Sequence, residues 1–216
     1  MIKKDKNSTK NEKALLYVHG KGGNAAEADQ IKDFCVGYDV FGVDYDDYFP
    51  WNARISVKND FDRLKQSYSK VAVAANSIGA YFSMLALQDC DVEKALMVSP
   101  VLDMESLICD MMRWEGVTEE KLRIKGEIQT GTGEILSLRY LTYVRENPIR
   151  WEIPTEILYG GGDTLISRET VEQFVRAHNA RLTVMENGEH WFHTPEQTAF
   201  LNDWVKSVMS PHYPDK

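Results

Sequence analysis

The chain has 216 residues, 43% of them hydrophobic and 27% charged, which suits one soluble globular domain with a core of its own. Its formal net charge of −8 repels nucleic-acid phosphates and anionic lipid headgroups, so neither nucleic acid nor a membrane is an expected partner. No apolar run is long enough to span a bilayer, and the lysine-rich start lacks the apolar stretch of a secretory signal.

These features set the first expectations: a disordered polar tail over 1–13, a single domain over 14–216, and a cytoplasmic location. Three cysteines, Cys35, Cys90 and Cys109, are an odd number at unrelated spacings. They suggest buried free thiols rather than a disulfide framework or a metal site.

In chain order, short β-branched apolar runs alternate with longer segments of helical period, the pattern of parallel strands joined by crossover helices. The first strand is Ala14–Val18, ending at His19-Gly20. A helix is expected from Ala25, where Asn24 and Glu27 have capping-box spacing; Ala28, Ile31, Phe34 and Cys35 would face the sheet. A second strand lies near Asp39–Asp44, followed by a loop of acids and aromatics from Tyr45 to Trp51. Val57, Phe61, Leu64 and Tyr68 mark the next helix.

The third strand, Val71–Ala75, runs straight into a helix carrying Ile78, Tyr81, Phe82 and Leu85. Glu93–Val98 is the fourth strand, closed by Ser99-Pro100. The rhythm then breaks over an insertion, Asp103–Trp151. Within it Met104, Leu107, Ile108, Met111 and Met112 have helical spacing, Lys125–Ser137 reads as a β-hairpin, and a helix follows near Arg139–Glu146. Some fifty residues without sheet strands suggest a cap over one end of the sheet.

The fifth strand is Thr155–Tyr159. Ser167 caps a helix bearing Val171, Phe174, Val175 and His178, and the sixth strand is Arg181–Met185. The last helix has Thr194 as cap, Pro195 in first position and Gln197 three residues after the cap, with Phe200, Leu201, Trp204, Val205 and Val208 as its buried stripe.

One serine sits where a strand turns into a helix: Ala75-Asn76-Ser77-Ile78-Gly79. A sharp turn there projects the hydroxyl beyond the strand's carboxyl end, and small residues two before and two after let the two backbones pass closely. The N–H of Ile78, at a helix N-terminus, points where an oxyanion would form. The plainer alternative is a serine that caps the helix.

With this motif the sequence resembles the α/β-hydrolase family, over nearly the whole chain after Lys13. The family's elbow usually reads G-x-S-x-G; here Ala75 takes the place of the first glycine. His19-Gly20-Lys21-Gly22-Gly23 looks like its oxyanion loop, with the N–H of Lys21 as second donor. This loop matches neither the P-loop nor the dinucleotide pattern. Gly160-Gly161-Gly162-Asp163 resembles the acid position and Gly188-Glu189-His190-Trp191 the histidine loop. The order Ser77, Asp163, His190 is the order that this family uses.

The resemblance implies a parallel sheet of six strands with helices on both faces, an α/β-hydrolase fold lacking the family's first two strands, with a cap insertion over about 103–151. It implies a serine hydrolase that cleaves a carboxylic ester or thioester of a small-molecule acyl substrate through an acyl-enzyme, with no cofactor and no metal. Trp191, Tyr48, Met111 and Met112 are the expected substrate-binding residues. Two readings of other classes stand beside it: a non-enzymatic ligand-binding protein on the same scaffold, and a lyase or cofactor-free oxygenase using the same histidine and acid.

Rivals exist for each role. His193 suits packing at the rim, Asp103 suits capping the helix that follows it, and His178 suits a satisfied core position. Ser99 is followed by Pro100, which has no N–H to offer an oxyanion.

Overall fold

A computed structural model describes residues 12–45 and 47–210. Six parallel strands form one sheet: β1 (Lys13–Val18), β2 (Tyr38–Gly42), β3 (Lys70–Asn76), β4 (Ala95–Val98), β7 (Thr155–Gly160) and β8 (Ala180–Met185). Their spatial order is β2-β1-β3-β4-β7-β8. β3 lies at the centre, with Val18 in register with Ala75 on one side and Asn76 with Val98 on the other.

Both sheet faces are covered, and alternate residues divide between them. On one face Leu16, Val18, Val71, Val73 and Met97 pack against α1 (Pro50–Lys65), α2 (Ile78–Leu87) and α6 (Arg168–Ala177). On the other, Leu15, Ala72, Leu96 and Leu158 meet α7 (Pro195–Met209) and two 3-10 turns, Ala25–Gln30 and Lys32–Phe34. Eight of the ten residues of α2 are buried, so it is a central helix apolar all round.

Between β4 and β7 come α3 (Met104–Trp114), α4 (Glu119–Lys125), the antiparallel pair β5 (Glu127–Gln129) and β6 (Ile135–Ser137), and α5 (Leu138–Glu146). Trp151 closes the segment fully buried, its indole N–H donating to Thr155 Oγ1 at 2.7 Å.

Several expectations need correction. The segment after Asn24 forms 3-10 turns, not an α-helix. Asn24 does accept from the Ala26 N–H at 2.9 Å, but Glu27 takes the Tyr17 hydroxyl at 2.9 Å, so the reciprocal half of a capping box is not made. The strand expected from Glu93 begins at Ala95, because Glu93 is held outside it by Lys13 Nζ at 2.7 Å. Lys13 opens β1 rather than closing a tail; residues 1–11 of that tail lie outside the described residues.

α4 was not expected: seven residues are too few for a helical period to stand out, although Thr118 caps it with a 3.1 Å bond from the Lys121 N–H. Lys125 consequently ends a helix, and the hairpin starts at Glu127. Of the cysteines only Cys35 is buried; Cys90 and Cys109 are half-buried. Among the described residues no helix is long and apolar enough to cross a membrane.

Candidate active site

The elbow is a strained turn. Ser77 has φ 51° and ψ −120°, in the positive-φ region that non-glycine residues rarely occupy. The turn is held from both ends: the Ser77 N–H donates to Val98 O at 3.0 Å, and its carbonyl accepts from Ala80 N at 3.1 Å and Val101 N at 3.0 Å. Gly79 is required by close approach, since a Cβ there would collide with the carbonyl oxygens of Val18 and His19. The Ser77 side chain makes no capping bond to α2, which removes the helix-cap alternative and leaves its hydroxyl for another partner.

That partner is His190. Ser77 Oγ lies 2.9 Å from His190 Nε2, and His190 Nδ1 lies 2.7 Å from Asp163 Oδ2. The Asp163 side chain is 0% exposed, and its other oxygen, Oδ1, accepts the N–H groups of Leu165 at 2.8 Å and Ile166 at 3.0 Å. A buried carboxylate satisfied in this way is locked in orientation, and it holds the imidazole with one nitrogen towards the acid and the other towards the serine. Three side chains from the ends of β3, β7 and β8 thus form one continuous relay.

The rivals go elsewhere. His193 Nδ1 meets the Trp191 carbonyl at 2.7 Å and its ring stacks on Trp191. Asp103 accepts from the Ser106 N–H at 2.9 Å as the cap of α3. His178 caps the C-terminal end of α6, just outside the helix, and its Nδ1 meets the Trp151 carbonyl at 2.7 Å. Ser99, buried, has φ 43° at the end of β4.

The glycine loop after β1 lies alongside. The amides of Gly22 and Gly23 are committed, to the Tyr48 hydroxyl at 2.7 Å and to Gly20 O at 3.2 Å, whereas those of Lys21 and Ile78 have no partner among the described residues. Three supports for this loop were missed at the sequence level. The His19 ring stacks on Tyr45 with centroids 4.0 Å apart, the Tyr45 hydroxyl donates to the His19 carbonyl, and Lys21 Nζ pairs with Glu134 at the tip of the β5–β6 hairpin. The tyrosines' position in the acid-aromatic loop was the only available signal; Glu134 is 113 residues from Lys21 and left none.

A cavity of about 680 Å³ opens at Ser77 beneath the inserted segment. Ile78, Val101, Leu107, Ile108, Met111 and Trp114 supply much of its apolar wall, and Tyr48 is on its rim. Met112 does not line it: one position further round α3, that side chain is buried in the core. Trp191 is not on this cavity either; it lines a second one, next to His190. Among the described residues no three His, Cys, Asp or Glu side chains are grouped to hold a metal ion.

No protein-family model matches this chain, and no curated protein matches it either. Solved structures do. Est1E from Butyrivibrio proteoclasticus superposes with a TM-score of 0.74 at 18% identity, over 92% of this chain and 88% of that one. Mouse alpha/beta hydrolase domain-containing protein 10 gives 0.71 at 13% identity, over 91% and 89%. The chain has the α/β-hydrolase fold.

Further α/β-hydrolase neighbours include a lipase-esterase related protein from Clostridium acetobutylicum, with a TM-score of 0.63 at 14% identity over 91% of this chain and 94% of that one. Within the α/β-hydrolase frame, the six-stranded parallel sheet of this chain is flanked by helices on both faces. Its relay residues stand at the carboxyl ends of three sheet strands, where open α/β sheets place their sites.

Proposed function

We propose that this protein is a serine hydrolase cleaving a carboxylic ester or thioester, with Ser77 as nucleophile, His190 as general base and acid, and Asp163 orienting the histidine. The observation that carries this reading is the unbroken Ser77–His190–Asp163 relay at 2.9 and 2.7 Å. His190 Nε2 accepts the Ser77 proton as Oγ attacks the carbonyl carbon. The resulting oxyanion is held by the uncommitted N–H groups of Ile78 and Lys21. His190 then gives the proton to the departing oxygen or sulfur, and the C–O or C–S bond breaks. Water, deprotonated by the same nitrogen, attacks the acyl-enzyme, and Ser77 recovers its proton.

The segment over 103–151 acts in this reading as a cap, and its apolar underside suits an acyl group. The hydrolase neighbours, among them a thioesterase domain from the curacin biosynthetic pathway (TM-score 0.53, 13% identity, 89% of this chain and 90% of that one), are compatible with either ester type. A fluorophosphonate probe is expected to label one serine, and mass spectrometry to place the label on Ser77. Labelling that survives in Ser77→Ala overturns the assignment.

A further inference from the structure

Two cavities, not one, border Ser77. The first is the apolar space beneath the inserted segment. The second, about 550 Å³, is bordered by the glycine loop and runs between α7 and the 3-10 turns down to the sheet. Both are lined by Lys21, Ser77 and Leu165, so the serine borders both. Ile78 lines only the first and His190 only the second.

That division has a mechanistic consequence, which rests on the serine-hydrolase reading. The proton released when the tetrahedral intermediate collapses passes from His190 Nε2 to the leaving atom, and this transfer needs a separation of about 2.6–3.2 Å. The leaving atom is therefore on the His190 side, and whatever it carries extends into the cavity that His190 lines. The acyl chain is left the other direction.

Both walls are largely apolar, and they differ in one respect. The first cavity presents Val101, Leu107, Ile108, Met111 and Leu136. The second has a polar side: the Glu27 carboxylate, which accepts the Tyr17 hydroxyl at 2.9 Å, with Gln30 and Asn76. Lys21 is the one lysine or arginine among its lining residues, and Glu134 occupies the ammonium.

We propose that the substrate is bipartite, with an apolar acyl group beneath the inserted segment and a leaving group in the α7-side cavity. The leaving group is neutral or cationic, with Glu27 as a specificity-determining residue; a phosphate-bearing thiol such as coenzyme A would put its charge beside Glu27 with no free cation lining the cavity to meet it.

Two substrate series and three variants test this. The acyl series is p-nitrophenyl esters from acetyl to decanoyl. The leaving-group series holds the acyl group at butyryl and compares the choline ester with its neutral 3,3-dimethylbutyl isostere, and the N-acetylcysteamine thioester with the coenzyme A thioester. Leu107→Trp, in the first cavity, is expected to change relative kcat/KM along the acyl series by about tenfold or more and to leave ratios within the leaving-group series alone. Leu201→Trp, in the second, is expected to do the reverse. Gln30→Trp, at an exposed position of the same wall, repeats the test should Leu201→Trp not fold.

Wild type is expected to favour the choline ester over its neutral isostere, and the cysteamine over the coenzyme A thioester by about tenfold or more, and Glu27→Gln to narrow both ratios. Crossed responses, both series answering to one variant, or preference for coenzyme A overturn the proposal while Ser77 still labels and turns over ester. Absence of labelling at Ser77 overturns the hydrolase reading itself, and this assignment with it.

Discussion

At the scale of single residues, the candidate site separates side chains that share a loop. His190 and His193 are three positions apart, yet one bridges Ser77 and Asp163 while the other meets its own loop's carbonyl. His190→Ala is therefore expected to abolish ester turnover and His193→Ala to retain most of it. Asp163→Asn is expected to be severely impaired, because an amide can hold the wrong imidazole tautomer; the comparable Asp→Asn change in chymotrypsin-type serine proteases costs about 10⁴ in kcat. Asp103→Asn should be mild, since its carboxylate only caps α3. Steady-state kinetics on one p-nitrophenyl ester decides all four, and a dead His193→Ala enzyme would refute the assignment. These two candidate histidines could be ranked from sequence because a turn and a helix cap impose different directions on neighbouring residues. Met111 and Met112 could not be ranked: spacing defines a helix's apolar stripe, but not where core ends and cavity begins within it.

At the scale of elements, the β3–α2 junction depends on how closely two backbones pass. The turn at Ser77 brings the start of α2 against the carbonyls that end β1, and Gly79 is the point of contact. Gly79→Ala forces the helix or the His19 end of the glycine loop to shift. It is expected to cost about 1–3 kcal/mol, as overpacking does, read as a lower denaturant midpoint with unchanged m-value. Ester turnover should fall beyond what instability explains, because the displaced strand end leads directly into Lys21. A variant of wild-type stability and activity would show that the junction has slack. The expected helix at Ala25 failed for a related reason. Its local spacing favoured a capped α-helix, but Glu27 has a longer-range partner in Tyr17, and that contact helps hold a tighter turn against the sheet.

At the scale of the whole molecule, the end of the sheet opposite the site is tied by Glu93. Burial pushes its carboxyl up, but the bonds from Lys13 at 2.7 Å and Tyr38 at 2.8 Å, with the charge of Lys70, outweigh this and hold it below its usual range. A carboxyl depressed in the folded state adds stability that is fully present above its unfolded value, about 4.3, and is lost as pH falls through the folded value. Glu93→Gln is thus expected to be less stable than wild type at pH 7, with the gap closing below about pH 4 in urea titrations. A gap that persists unchanged at low pH would mean that the loss comes from packing rather than charge.

The sequence by itself determined the alternation of strand and helix, the all-parallel sheet, and the order Ser77, Asp163, His190 at three strand ends. All of these are local signals: apolar period, turn residues and caps lie within a few positions of one another. Only the tertiary structure decided that the Ser77 hydroxyl is not a helix cap, that Glu134 reaches Lys21, that Met112 faces the core, and that a second cavity opens behind His190. The physical reason is separation along the chain. Such contacts join residues on elements far apart in sequence, and each is settled by how the inserted segment and α7 dock on the sheet. Docking depends on the shape of two assembled surfaces, and no short stretch of either one encodes it.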